Sequence, residues 1–368
     1  MSKFYPVAVP AFLGNEKKYV NNCIDSSWIS SNGEYINLFE SAFAEFNDIK
    51  YALTCCNGTV ALHLALMAMG VQTGDEVIVP SFTYIATANA VRYCGAKPVF
   101  ADCLSDTWNL DPADFERKIT PRTKCVIPVH LYGNPCDMRS IADIARKHNI
   151  LILEDAAESH GAAYDGKKVG TLSDIGVFSF FGNKIITTGE GGMIVTDNDN
   201  YADLMKRLKG QGMDPNRRYW FNMIGYNYRM TNIEAAIGLA QLENIDEHIQ
   251  KRRNVAEIYI HELEQYQDYI TFQKTTRNAE NVWWMFSLLL NKPFKLSRDE
   301  LMLRLHEDNI ETRPLFYPMH VMPPYEDKTA QCPVSEDIAS RGVNLPTHGM
   351  LSKDDIKYIC RKLIKYIK

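Results

Sequence analysis

Between residues 51 and 196, short apolar runs alternate with stretches of helical periodicity. Parallel strands need a crossover between them, which is usually a helix, so this alternation predicts a mostly parallel sheet with helices on both faces. The prediction is an α/β fold built on a seven-stranded sheet. The predicted strands are Tyr51–Cys55, Glu76–Pro80, Pro98–Ala101, Cys125–His130, Leu151–Glu154, Val177–Phe181 and Gly192–Thr196.

The chain has 368 residues, more than one hydrophobic core usually supports, so two domains are predicted. Residues 1–250 form the large domain, which starts with an entry segment. Residues 251–368 form a smaller α+β domain, which ends in a helix over Lys353–Lys368. One long helix, Ile233–Tyr266, is predicted to bridge the two domains.

The composition limits the partners of the protein. A formal net charge of −5 gives no general reason to expect nucleic-acid binding. No apolar run reaches 18 residues and the N-terminus lacks the apolar core of a signal peptide, so we expect a cytoplasmic protein that does not enter a membrane. Nine scattered cysteines without a Cys-x-x-Cys pair predict reduced thiols, with neither a disulfide framework nor a metal site.

One lysine stands at a break between two apolar runs. The sequence Phe178-Ser-Phe-Phe-Gly-Asn-Lys184 leads through small and polar residues to Gly192, where the second run begins. A lysine whose pKa is lowered by burial or by a cationic neighbour can form a Schiff base with a carbonyl cofactor. A solvated loop lysine is the alternative that these residues alone leave open.

Other loops follow predicted strands, and sheets of this kind bind ligands at the carboxyl ends of their strands. Gly58 and Thr59 open a helix whose free amides can bind a phosphate, although Asn57 can equally be a simple N-cap. Tyr84 can stack on a planar ring or pack in the core. Ser179 can donate its hydroxyl to a phosphate or satisfy the backbone.

Asp155 ends an apolar strand, 29 residues before Lys184. An aspartate is costly to bury without a charged partner, which a pyridinium nitrogen would supply. The spacing leaves room for a loop and a return strand, so both residues can reach one cleft. Glu158 and His160 follow, either as supporting partners or as surface groups.

Three further segments carry candidate binding residues. Trp28 lies between serines near Gly33 and either caps the fold or lines a pocket. The loop 211–220 contains two arginines and two aromatic residues, which suit an anionic, aromatic ligand or a solvated surface. The segment from Arg313 to His320 either faces the cleft or packs as a connection.

With these motifs in this order, the chain resembles the pyridoxal-phosphate-dependent nucleotide-sugar aminotransferases, a branch of the fold-type-I aspartate aminotransferase superfamily. The resemblance covers essentially the whole length and implies a fold-type-I architecture. It is carried by the segments Asn57–His63, Gly74–Pro80, His130–Gly133, Phe178–Gly192 and Gly225–Asn232.

The resemblance implies a role for each residue around the pyridoxal 5′-phosphate ring. Lys184 holds the cofactor as a Schiff base and then moves the proton between substrate and cofactor. Asp155 keeps the pyridine nitrogen protonated, and Tyr84 stacks on the ring. Glu158 stands where many family members have a glutamine that contacts the phenolic oxygen.

The resemblance also implies how the cofactor phosphate is bound. Gly58, Thr59 and Ser179 bind it from the same chain, and Asn227 reaches it from a second subunit. A homodimer with shared active sites is therefore expected.

For the sugar nucleotide, Arg217 is expected at the diphosphate. Trp28, Trp220, Arg229 and His320 are weaker candidates around the sugar, chosen from their places in loops similar to those of the family. Glutamate and the sugar are expected to use one site in turn, with pyridoxamine 5′-phosphate formed between the two half-reactions.

A narrower likeness points to family members that aminate the 4-keto carbon of GDP-4-keto-6-deoxymannose. It is carried by the segments 25–31, 180–184, 209–212 and 311–318. The catalytic residues would be shared by enzymes acting on UDP- or dTDP-4-keto-6-deoxyglucose, so that alternative stays open. A sugar dehydratase of the same superfamily has a histidine in place of the lysine, and Lys184 argues against it. Intact Asp155 and Lys184 argue against a regulator without turnover.

Overall fold

The computed structural model describes residues 3–367, and within them fourteen strands form three sheets. The strands are β1 (Tyr51–Cys55), β2 (Glu76–Pro80), β3 (Lys97–Ala101), β4 (Thr123–Val126), β5 (Leu151–Asp155), β6 (Ala163–Tyr164), β7 (Lys167–Lys168), β8 (Ile175–Ser179), β9 (Gly192–Thr196), β10 (Ile270–Phe272), β11 (Ala279–Glu280), β12 (Phe286–Leu290), β13 (Arg313–Pro314) and β14 (Gly342–Leu345).

Helices surround the sheets. The α-helices of the described residues are α1 (Glu16–Asp25), α2 (Glu34–Asn47), α3 (Gly58–Ala68), α4 (Ala86–Tyr93), α5 (Pro112–Arg117), α6 (Met138–His148), α7 (Asp199–Lys209), α8 (Asn232–Leu242), α9 (Ile245–Leu263), α10 (Arg298–Glu307), α11 (Pro333–Arg341) and α12 (Lys353–Ile367). The predicted C-terminal helix begins at Lys353 as expected, and Lys368, its predicted end, lies outside the described residues.

The largest sheet has seven strands in the order β1-β9-β8-β5-β4-β2-β3. β9 runs antiparallel to both of its neighbours, and the remaining neighbouring pairs are parallel. The predicted α/β fold with a mostly parallel seven-stranded sheet is confirmed.

Both faces of this sheet are covered, as the apolar strand sequences predict. In β2, Val77 and Val79 pack in the core that contains α3, whereas Ile78 packs in the core that contains Ile141 of α6. Successive side chains of a strand point to opposite faces, so a strand buried on both faces must be apolar throughout.

The smaller sheet is antiparallel, with the order β10-β12-β14-β13. Its core includes Tyr259 of α9, Phe286 of β12 and Leu363 of α12. α9 also sends Ile249 into a core of the large sheet, so one helix contributes to both. The predicted division at residue 250 falls within this helix and stays a prediction.

The predicted long helix Ile233–Tyr266 is wrong as a single element. It is divided at Glu243 and Asn244 into α8 and α9, followed by a 3₁₀ turn over Glu264–Tyr266. The side chain of Asn244 donates to the carbonyl oxygen of Ala240 at 3.2 Å, where a continuous helix would place the backbone N–H of Asn244. Asparagine side chains compete with helical backbone bonds in this way, and sequence periodicity does not register it.

The fourth predicted strand is shorter than expected. β4 ends at Val126, whereas the apolar run continues to His130. Pro128 has no N–H for the strand ladder, although its carbonyl oxygen accepts the N–H of Asp155 at 2.9 Å. The run therefore continues beside β5 without the regular pairing of a strand.

Within residues 3–367, no helix combines the length and the apolar character needed to cross a bilayer. All nine cysteines are free, and seven of them are buried.

β1, β2, β5 and β8 run in the same direction, so their carboxyl ends meet at one edge of the large sheet. The loops that follow these strands contain the residues singled out in the sequence.

Candidate active site

Lys184 lies in the loop between β8 and β9, and its side chain is 12% exposed. Its Nζ atom lies 4.0 Å from the ring centroid of Trp284 and 3.7 Å from Oε1 of Glu158. Burial lowers the pKa of Lys184, and the carboxylates of Glu158 and Asp155 oppose that shift. A lowered pKa increases the fraction of neutral amine, which is the form that a nucleophile requires.

Asp155 is the last residue of β5 and is 5% exposed. Its Oδ2 atom accepts the hydroxyl of Thr87 at 2.9 Å, and its Oδ1 atom accepts the N–H of Ala157 at 3.2 Å. Burial raises the pKa of Asp155, whereas these two hydrogen bonds lower it. The carboxylate is thus oriented, but no cation in residues 3–367 forms an ion pair with it, and a protonated ring nitrogen would supply one.

Glu158 lies one turn beyond Asp155 and is 3% exposed. Its Oε2 atom accepts the N–H of Tyr132 at 2.8 Å, and its other oxygen faces Lys184. Burial raises the pKa of Glu158 to about 7, against the effect of the nearby lysine. The group therefore changes its charge near neutral pH, beside the amine.

The start of α3 faces the end of β8. The side chain of Asn57 caps the helix by accepting the N–H of Val60 at 3.0 Å, and the backbone carbonyl oxygen of Asn57 accepts the N–H of Ala61. Gly58 packs so closely on Ser179 that an added Cβ atom would lie 2.9 Å from the Ser179 Cβ atom. The first-turn amides and the Ser179 hydroxyl are the donors that an anion at a helix N-terminus needs.

Tyr84 follows β2 and keeps 59% of its surface exposed. Its ring lies 5.9 Å from that of Phe316 at an angle of 52°. Tyr84 lines the same cavity as Lys184, so its exposed ring is available to a planar ligand there.

These side chains line one cavity of about 780 Å³, a volume in the range of small-molecule sites. Seven residues predicted from the sequence meet there, namely Gly58, Thr59, Tyr84, Asp155, Glu158, Ser179 and Lys184. These groups fit pyridoxal phosphate. An amine can react with its aldehyde, a buried carboxylate can pair with its ring nitrogen, and a helix N-terminus can bind its phosphate.

The remaining predicted residues do not line this cavity. Asn227 and Trp28 are exposed, and Arg229 is half-buried. The guanidinium of Arg217 lies 4.0 Å from the ring centroid of Trp220, in an exposed loop. His320 is buried elsewhere: its Nδ1 atom lies 2.6 Å from the hydroxyl of Ser81 and its Nε2 atom 3.0 Å from Glu336. The roles of these six residues stay predictions.

The structure adds residues that the sequence did not single out. Thr87 orients Asp155 from the first turn of α4, where a threonine gives no signal. Tyr132 and Trp284 line the cavity beside the lysine, and Trp284 is 100 residues away in sequence. Arg313 and Asn344 reach the cavity from the smaller sheet, so the predicted 313–320 segment contacts it at its start rather than at His320.

Throughout residues 3–367, no three histidine, cysteine, aspartate or glutamate residues are grouped so that they can hold a metal ion.

Residues 12–364 match the sequence profile of the DegT/DnrJ/EryC1/StrS aminotransferase family. The chain is 53% identical to GDP-perosamine synthase of Caulobacter vibrioides over 97% of this chain and 96% of that protein. It is 49% identical to GDP-perosamine synthase of Escherichia coli O157:H7, with 99% of each chain covered.

The fold is also similar to that of a solved aminotransferase. PseC of Helicobacter pylori, described as involved in the biosynthesis of pseudoaminic acid, superposes with a TM-score of 0.94 at 28% sequence identity, and 99% of each chain is covered.

Proposed function

The chain belongs to the DegT/DnrJ/EryC1/StrS aminotransferase family, and from that premise we propose that it moves the amino group of L-glutamate to a nucleotide-linked 4-keto-6-deoxy sugar. The family resemblance inferred from the motifs is confirmed by the match over residues 12–364. The proposed substrate is GDP-4-keto-6-deoxymannose and the proposed product GDP-perosamine, because two relatives of that name are 53% and 49% identical over nearly their full lengths.

One observation carries the catalytic part of the proposal: a largely buried lysine faces a buried aspartate and a helix N-terminus across one cavity. Pyridoxal phosphate, when bound, supplies an aldehyde that carries the amino group and a ring that withdraws electrons. Lys184 would hold this aldehyde. Gly58, Thr59 and Ser179 would bind the phosphate, and Tyr84 would cover the ring.

The chain's own titratable groups define what happens to protons. The Nζ atom of Lys184 would take a proton from the α-carbon of the amino donor and deliver it to the C4′ carbon of the cofactor, which requires the neutral amine that burial favours. Asp155, fixed by Thr87, would keep the ring nitrogen protonated. Glu158 would contact the phenolic oxygen, with a charge that changes near pH 7.

Glutamate and the sugar nucleotide would occupy the cavity in turn, and pyridoxamine 5′-phosphate is the form of the cofactor that would supply the amino group to the sugar. Arg217, with Trp28, Trp220, Arg229 and His320, remains the proposed set for the sugar nucleotide. None of these side chains lines the cavity of its own chain, so their use requires a second subunit or a loop rearrangement.

A homodimer with shared sites is part of the proposal, and the exposed position of Asn227 supports it. We place the reaction in the cytoplasm, because nine free cysteines suit a reducing compartment.

The test compares GDP-, UDP- and dTDP-linked 4-keto-6-deoxy sugars, each with glutamate and added pyridoxal phosphate, by mass spectrometry of the aminated product. We expect the GDP sugar to be preferred. A clear preference for a UDP or dTDP sugar would overturn the substrate assignment and favour the alternative base.

Lys184→Ala is the matched inactive variant. Because it lacks the amine that moves the proton, its turnover should fall by at least about 1,000-fold. Full turnover in Lys184→Ala would overturn the assignment of the catalytic residue.

A further inference from the structure

Two consecutive backbone carbonyls at the lysine are held by side chains from distant parts of the chain. The carbonyl oxygen of Asn183 accepts the indole N–H of Trp284 at 2.8 Å. The carbonyl oxygen of Lys184 accepts the guanidinium of Arg252 at 3.3 Å. A loop between two strands has no ladder hydrogen bonds at such positions, so outside donors decide its conformation.

Arg252 is a buried cation on α9, with 5% of its surface exposed. Its guanidinium also donates to the carbonyl oxygens of Trp284 at 3.1 Å and Thr347 at 2.7 Å. In the part of the chain that the structure describes, no ion pair involves it. Burying a guanidinium that has only carbonyl partners is costly, and burial lowers the pKa of Arg252 to about 10.

Trp284 contacts both parts of the lysine. Its indole N–H bonds the backbone next to Lys184, and its ring lies 4.0 Å from the Nζ atom. The backbone carbonyl of the same tryptophan is bonded to Arg252. The two side chains and the 183–184 backbone therefore form one connected unit.

We propose that Arg252 and Trp284 are positioning residues that fix the backbone at Asn183 and Lys184 and so keep the lysine amine buried beside Glu158. The proposal rests on the proposed function only in that Lys184 is the residue that captures the cofactor aldehyde. Burial lowers the pKa of the Lys184 amine, so a looser backbone at this position would raise that pKa toward the value of an exposed lysine.

The charged and titratable groups around this unit are few. Glu158 and Asp155 face the amine and oppose its deprotonation. His160 lies against the same site, and burial, with a contribution from Lys184, lowers its pKa to about 3. His248 and His348 lie by Arg252, and burial followed by that guanidinium lowers the pKa of each to about 4. All three histidines are neutral at neutral pH, so the charged groups that act on the amine are chiefly the two carboxylates.

The experiment measures the Lys184 amine itself in the cofactor-free protein. Acetic anhydride in trace amounts labels neutral amines, and mass spectrometry of peptides gives the labelling of Lys184 at each pH. Lys328, whose side chain is 87% exposed, serves as the internal reference. The variants are Trp284→Phe, which keeps a ring and removes the N–H, together with Arg252→Met and Arg252→Lys.

Two substitutions provide matched controls. Trp108→Phe removes a buried indole whose N–H has no hydrogen-bond partner among the described residues and which does not line the cavity. Tyr259→Phe removes a buried hydroxyl of α9 that donates to the carbonyl oxygen of Pro346 at 3.0 Å. Thermal unfolding of each variant identifies those that are folded.

In the wild type we expect the Lys184 labelling midpoint to lie below that of Lys328. In Trp284→Phe and Arg252→Met the Lys184 midpoint should rise by about one pH unit, which is a tenfold loss of neutral amine at any pH below the midpoint. The midpoint of Arg252→Lys should lie between these values and that of the wild type. Wild-type midpoints in folded Trp284→Phe and Arg252→Lys would overturn the proposal. If Arg252→Met does not fold, those two variants decide the result.

Cofactor capture provides a second readout. The rate at which the apoprotein develops the absorbance of bound pyridoxal phosphate should fall about tenfold in Trp284→Phe and remain unchanged in Trp108→Phe. Because labelling needs neither cofactor nor sugar, a wrong substrate assignment leaves this result intact, whereas a wild-type midpoint in Trp284→Phe rejects the positioning role alone.

Discussion

Glu154 and Asp155 are consecutive residues of β5, and the fold treats their carboxylates in opposite ways. Glu154 is fully buried and accepts the N–H of Gly170 at 2.7 Å, the N–H of Leu172 at 2.8 Å and the hydroxyl of Ser173 at 2.9 Å. Its Oε2 atom also lies 3.0 Å from Nε2 of His130. The whole carboxylate is satisfied by the protein.

Asp155 points to the other face of the strand, where it lines the cavity. Within the described residues its side chain has Thr87 and Ala157 as its only hydrogen-bond donors, and burial raises its pKa. Two acids with similar burial therefore differ in what they leave available. A carboxylate saturated by internal donors holds the structure together, whereas one with free capacity at a cavity can bind a cationic group.

The difference between Glu154 and Asp155 is tested most strongly by removing each charge in turn. Asp155→Asn should lower kcat by at least about 100-fold, because the ring nitrogen loses its anionic partner. Glu154→Gln should lower the free energy of unfolding by about 2 kcal/mol, because its NH₂ group would face N–H donors, with kcat per folded molecule nearly unchanged. Steady-state kinetics and thermal unfolding measure both quantities.

The comparison fails if the two variants lose activity to the same degree at equal fractions of folded protein. It also fails if Asp155→Asn is the variant that unfolds.

Glu158 is a third buried carboxyl group, and its substitution tests how such a group acts on the lysine. Because burial raises its pKa to about 7, the group is neutral below that pH and ionised above it. The ionised form opposes deprotonation of Lys184, so Glu158→Gln should capture pyridoxal phosphate about tenfold faster above pH 7 and at a similar rate well below it.

The rate of cofactor capture is measured from about pH 5.5 to about pH 8.5, a range that extends at least about one unit below and above the pKa of Glu158. Glu190→Gln is the control, because Glu190 lines the cavity and, among the ion pairs of residues 3–367, is not paired with Lys184. A wild-type profile in Glu158→Gln would show that this carboxyl group does not affect the amine.

The smallest expected effect comes from single hydroxyl donors. Thr87→Val removes a donor to Asp155, and Ser173→Ala removes a donor to Glu154. One hydrogen bond is worth about 1 kcal/mol, so kcat should fall about fivefold in Thr87→Val alone, whereas the melting temperature should fall in Ser173→Ala. Equal kinetic losses in the two variants would remove the distinction between the faces of β5.

Much of the site was predictable because it depends on local pattern. Gly58, Tyr84, Asp155 and Lys184 each follow a strand that can be identified from its apolar run, and parallel strands place those loops at one edge. The family resemblance then indicated their roles. In the structure these four residues line one cavity, and their chemical roles stay predictions.

Other features had no local signal. The break between α8 and α9 depends on one asparagine side chain that replaces a helical bond. Arg252 lies in a helix and Trp284 just before a strand, and neither position is distinctive in the sequence. Only folding brings the two side chains to Asn183 and Lys184. The family-like segment predicts His320 beside the sugar. In the structure the ring of His320 does not line the cavity and lies within hydrogen-bond distance of Ser81 and Glu336.

The sequence by itself determined that an α/β sheet would form, and that a lysine, an aspartate and a helix start would stand at the ends of its strands. Strand and helix periods act over a few residues, so they can be read directly from the chain. Only the tertiary structure decided how much of each charge is buried and which distant side chains orient it. Those properties arise from contacts between residues about 70 to 100 positions apart, such as Thr87 with Asp155 and Trp284 with Asn183, and no local pattern encodes them.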